Sequence, residues 1–166
     1  MLADPAIGPV MVSSMKEARE AATADPHKDL RDWLDGQVFR SLADQGYFSS
    51  YTCTALSIST DGFQAWKQHA FEGWLINAAI LNVDPSSRVQ MVSQVFLGIT
   101  RGPGQQADLE SFLHPIAEEL NALATGLSGV SVAGFAEPPM AQAFVIHFTT
   151  YVPAGDELPT VIAGNR

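Results

Sequence analysis

The chain has 166 residues, enough for one domain with a sizeable core. Eighteen Asp and Glu against nine Lys and Arg give a net charge of −9 and a pI near 4.6. That is the wrong sign for unspecific nucleic-acid binding, whose affinity comes from Lys and Arg displacing counterions along the phosphate backbone. A single cysteine, Cys53, excludes an intramolecular disulfide and a Cys-rich zinc site and points to a reduced, intracellular setting.

Met1 to Met15 has no basic leader and is broken by Pro5, Gly8 and Pro9, which argues against a secretory signal. Ser14-Met15-Lys16-Glu17 fits a capping box, and Ala18 to Ala24 continue as a helix that Asp25-Pro26 ends. A second short helix is expected from Asp35 as N-cap to Gly46 as its left-handed stop, with Val38, Phe39 and Leu42 on one face. These helices make residues 1–50 an N-terminal helical segment beside a core at 51–160, with 161–166 a loose tail.

From Thr54 the period changes to two. Leu56, Ile58 and Thr60 face one side, and Ala55, Ser57, Ser59 and Asp61 the other, so that the strand pattern ends on an acid. Small residues beside Asp61 fit either a closely packed helix or a solvent face. Trp74 to Leu81 and Val92 to Ile99 read as two further strands of an antiparallel meander, separated by Asp84-Pro85-Ser86-Ser87, with helix the competing reading of the first because of Ala78 and Ala79. Asn77 and Asn82 interrupt the longest apolar stretch, Trp74 to Val83, which is about half the ~20 residues a membrane helix needs; a soluble protein with no membrane partner is expected.

Arg101-Gly102-Pro103-Gly104 is a loop, and the clearest helix follows, with Leu109, Phe112, Leu113, Ile116, Leu120 and Leu123 at 3.6-residue spacing and Gly126 as its stop. Pro115 inside it predicts a kink or two abutting helices. Val130 to Phe135 suggests a short strand, Phe144 to Tyr151 a strong one, and Pro153 to Arg166 a turn-rich tail. Meander, long helix and returning strand together make the opening half of a ribonuclease-H-like α/β architecture. Such sites hold two Mg²⁺ ions about 4 Å apart between carboxylates converging from several strands, and Asp61 alone would hold one weakly.

Other patterns carry less. Gly102-Pro103-Gly104 lacks the Gly-Lys-Ser/Thr ending of a phosphate cradle. Cys53, His69, His114 and His147 lack ligand spacing, and Trp33, Trp66 and Trp74 lack the interleaved cations of a base-stacking surface.

In order along the chain, Leu30-Arg31-Asp32-Trp33-Leu34-Asp35-Gly36, Gln45-Gly46-Tyr47-Phe48, Leu56 to Phe63, Leu97-Gly98-Ile99 with Gly102-Pro103-Gly104, Asp108 to Leu120, and Pro153-Ala154 resemble the transposases of CACTA (En/Spm) type DNA elements. The likeness covers roughly residues 29–160. It implies a metal-dependent DNA transposase ancestry, DNA as the partner of the intact family, Mg²⁺ or Mn²⁺ as cofactor and a nuclear location. It also assigns Asp61 as the first catalytic acid and metal ligand. The family's second acid precedes a Pro-Ala pair by two residues, and Tyr151 stands there; a phenol is neutral at pH 7 and a poor Mg²⁺ ligand. The third acid and a Cys-rich segment would come after residue 166. The resemblance therefore implies a truncated, diverged catalytic region that binds DNA poorly and does not cut it alone. The competing expectation is a protein-interaction module, its unpaired strand edges covered by a partner protein or by self-association as a homo-oligomer.

Overall fold

The computed structural model describes residues 2–24, 31–66, 69–101, 109–137 and 139–150. Its centre is β1 (Cys53–Trp66), which forms an antiparallel hairpin with β2 (His69–Ile80). Strand β3 (Gln94–Arg101) adds antiparallel to β2, and β4 (Gln142–Thr150) returns parallel to the other side of β1, giving the order β3-β2-β1-β4. Between β3 and β4 the chain crosses through α3 (Leu109–Thr125); α1 (Gly8–Ala24) and α2 (Gln37–Asp44) precede the sheet. The fold is thus mixed α/β, with a four-stranded mixed sheet and three α-helices among the described residues.

Alternation along β1 sorts its side chains as the period-two pattern requires. Leu56 and Ile58 are buried with Ile76, Ala78, Ile80 and Ala143, and Leu113, Ile116, Leu120 and Leu123 of α3 pack onto them. Among the described residues the opposite face is covered at one end only. There Cys53 and Ala55 meet Phe39 of α2, Phe48, and Met15 and Ala18 of α1. Trp33 and Phe48 flank Phe39 with ring centroids at 5.4 and 5.6 Å, and Phe144 of β4 stands 5.1 Å from Phe48. Helix α1 serves both clusters, because Met11 belongs to the first and Met15 to the second.

Several expectations are corrected. Helix α1 starts at Gly8 and runs through Ser14: Asp4 Oδ1 accepts from the backbone N–H of Ala6 at 2.8 Å and of Ile7 at 3.2 Å, and Pro9 is tolerated in a first turn that has no partner for its missing donor. The N-cap of α2 is Gly36, not Asp35, which closes a 3₁₀ turn over Trp33–Asp35 capped by Asp32. Val38 is exposed, while Phe39 is buried. Gly46 does stop α2: its φ is +90°, its N–H reaches Ala43 O at 2.9 Å and that of Tyr47 reaches Leu42 O at 3.0 Å, the paired bonds of a Schellman ending.

The helical reading of Trp74 to Leu81 fails because Trp74 to Ile80 pair residue by residue with β1, and Val92 falls in a 3₁₀ turn, Met91–Ser93. Pro115 leaves α3 one continuous helix. Val130 to Phe135 is not a strand, since Gly129 and Gly134 have positive φ and the Val132 carbonyl closes a turn onto Phe135. The 102–104 loop and the tail from residue 151 lie outside the described residues.

Candidate functional site

Asp61 does not end its strand. β1 continues to Trp66, with Asp61 opposite Leu75 and Gly62 opposite Trp74, whose ring lies 3.6 Å from where a Cβ on Gly62 would stand. Asp61 is exposed, on the half of the sheet that no described element covers, so of its two expected surroundings the solvent face is the one found. Pairing of β1 with β4 runs through Ser59–Thr149 and Thr60–Thr150. Tyr151, the next residue, lies outside the described residues.

Behind Asp61 the same face carries a ladder of neutral polar groups. Ser59 Oγ donates to Asn77 Oδ1 on β2; Asn77 Nδ2 donates to Gln94 Oε1 on β3 at 2.7 Å, and Gln94 Nε2 donates to the Arg88 carbonyl. On the β4 side Ser57 Oγ stands 3.1 Å from His147 Nδ1, and Thr149 Oγ1 is also 3.1 Å from that nitrogen. This hydroxyl–imidazole pair is not a hydrolase triad. Asp61 is four residues beyond Ser57 on the same strand, about 13 Å away, too far to orient the imidazole. Among the described residues no three His, Cys, Asp or Glu side chains lie close enough to hold a metal ion.

Of the remaining sequence candidates, Cys53, Trp33 and Trp74 serve the packing, His114 stands on the surface, and the side chains of Trp66 and His69 lie outside the described residues. Cys53 is buried, and burial pushes its thiol up from the ordinary value. His114 is exposed on α3 with Nε2 at 3.4 Å from Glu118. Trp33 donates from Nε1 to the Leu81 carbonyl at 3.2 Å, and Trp74 is buried. Two clefts among the described residues lie elsewhere. One of about 530 Å³, lined by Met11, Leu56, Ile80, Leu123 and Leu127, has no titratable group among its described lining residues. The other, of about 400 Å³, is lined by Glu17, Arg31, Asp32, Asp35 and Asp84.

Sequence reasoning missed two polar arrangements. Asn77 and Asn82 looked like interruptions; Asn77 is a hydrogen-bonding member of β2, and Asn82, two residues past its end, bonds the β1 backbone. Arg88 forms a bidentate pair with Asp32 and also donates to the Leu81 and Val83 carbonyls, joining the β2–β3 connection to the turn before α2. Fifty-six residues separate the pair, and only the fold brings them together. Compared with protein-family models, curated proteins and solved structures, the chain gives no significant match.

Proposed function

We propose that the chain derives from the metal-dependent core of a CACTA-type DNA transposase, ribonuclease-H-like in plan, and that by itself it neither cuts nor joins DNA. One observation carries this reading. The parallel pairing of β1 with β4 reaches Thr60–Thr150, and the next residues along the two strands' sequences are Asp61 and Tyr151, the two positions the resemblance assigns to the first and second acids. The sheet order β3-β2-β1-β4, with α3 crossing between the meander and the returning strand, supports it further.

The described residues do not fit a two-metal centre. Asp61 is a single exposed carboxylate whose cross-strand neighbour on β2 is Leu75, and its face continues in Ser, Asn and Gln, neutral groups that bind Mg²⁺ weakly. The net charge of −9 opposes a DNA polyanion as well.

The test is restoration. Tyr151→Asp puts back the second acid, and a site with a millimolar Kd in ~10 mM Mn²⁺ adds about 1.4 kcal/mol, worth roughly 4 °C in Tm for a chain of this size. We expect that rise in Tyr151→Asp, none in the unmutated chain, and none when Asp61→Asn is added. Mn²⁺-dependent nicking of DNA by the unmutated chain, abolished in Asp61→Asn, would overturn the proposed inactivity. No response in Tyr151→Asp would remove the pairing of positions 61 and 151 on which the ancestry rests.

A further inference from the structure

Strand β3 is an edge of the sheet, paired with β2 on one side and with no other strand among the described residues. Edges are normally protected by charge, proline or a covering element. Here the twelve residues from Val89 to Thr100 contain no charged residue and no proline. Val89, Met91, Val92, Phe96 and Ile99 are 83, 92, 50, 63 and 51 % exposed. Of these, Phe96 and Ile99 lie on β3 itself and are the apolar side chains that pairing along this edge would bring together, whereas Val89, Met91 and Val92 precede the strand.

What covers this edge follows from its facing pattern. Ile76 pairs with Gly98 and Asn77 with Phe96, so Leu97 is an extra residue, a bulge. Val95 and Leu97 pack on the α3 side, Gly98 pairs with the buried Ile76, and Thr100 is buried, whereas Phe96 and Ile99 are exposed on the opposite face. From 95 to 100 the facing therefore reads core, open, core, core, open, core, the same in both directions. A regular six-residue strand alternates and reads differently backwards, so full antiparallel overlap with its own copy would set core positions against open ones. Opposed residues of an antiparallel pair must share a face. A bulge commonly turns an edge away from pairing, but here it makes the strand self-complementary, the condition for an isologous two-fold contact.

We propose that β3 pairs antiparallel with β3 of a second copy about a two-fold axis between Leu97 and Gly98, joining two four-stranded sheets into one of eight. Phe96 then lies opposite Ile99 of the partner subunit and Val95 opposite Thr100 of the partner subunit. Shifting the register by one residue sets Phe96 against Gly98, or Ile99 against Leu97, open against core. Parallel pairing would bring Arg101 beside its own copy; the antiparallel register places it at Gln94. The inference is independent of the transposase reading.

The register makes the test specific. Phe96 and Ile99 are exposed, so single charges there leave the monomer folded, as circular dichroism melts will check. Sedimentation velocity from about 1 to 100 µM should take the unmutated chain from monomer to dimer. Phe96→Lys and Ile99→Glu should each weaken the dimer by roughly tenfold or more, and the double variant, whose ammonium groups face carboxylates across the two-fold axis, should recover to within about threefold of the unmutated chain. A monomer throughout that range, assembly beyond a dimer, indifference to the single changes, or a double variant no tighter than either single one would overturn the proposal.

Discussion

Asn82→Ala should cost more stability than any exposed substitution in this chain. The β1–β2 ladder ends at Leu56–Ile80, the Leu81 N–H reaches Ala55 O at 2.9 Å, and the buried Asn82 side chain takes over where the strand stops. Its Oδ1 accepts from the Ala55 N–H at 2.7 Å and its Nδ2 donates to the Cys53 carbonyl at 3.0 Å. Alanine leaves a buried donor and a buried acceptor without partners, each worth about 1–3 kcal/mol, for a total of about 2–6 kcal/mol. At about 2–4 °C per kcal/mol for this size, Tm should fall by roughly 10 °C. Asn82→Asp keeps the acceptor and loses the donor, setting a carboxylate against the Cys53 carbonyl. Its deficit relative to the unmutated chain should narrow from pH 7 to pH 4.5, where a protonated carboxyl can donate again. Urea melts at both pH values measure this; a loss below ~1 kcal/mol in Asn82→Ala would refute the two-bond account.

Thr100 is buried, and its Oγ1 finds no hydrogen-bond partner among the described residues, so Thr100→Val should raise stability by about 1 kcal/mol in the same melts; a loss would show that the hydroxyl is bonded. Because burial raises the Cys53 thiol, the unfolded chain ionises first as pH climbs. Stability from this group is intact below the unfolded thiol value of about 8.5 and declines above it until the folded thiol also ionises. A Cys53→Ser comparison across pH 7.5 to 10 should isolate that slope, and the native thiol should react with a disulfide reagent far more slowly than the urea-unfolded one. Equal reaction rates would contradict its burial.

Where structure is set by neighbours close in sequence, the chain could be read directly. The 3.6-residue spacing from Leu109 to Leu123, the apolar run of β4 and the Gly46 stop all declare themselves locally. The start of α1 was misplaced because Ser14 and Glu17 imitate a cap, while Asp4 does the capping across two prolines that looked like breakers. β2 contains helix formers and becomes a strand because β1 and β3 pair with both of its sides, a long-range effect that overrides propensity. At the candidate site the strand bearing Asp61 was legible, but its neighbours were not. Which residues stand beside Ser59 or His147 depends on register and on two bulges, and a bulge leaves no mark on hydrophobic periodicity.

The two sides of β1 close at very different separations along the chain. Trp66 pairs with His69 at the tip of the β1–β2 hairpin, whereas Cys53 meets Gln142 across eighty-nine residues. Hairpins form in microseconds, and contacts across long loops must first overcome the entropy of closure. During synthesis the meander will be complete while β4 is still inside the ribosome, leaving the central strand's second edge open to any passing strand. The vulnerable species of this protein is accordingly a nascent one, and the arrival of β4 ends its exposure.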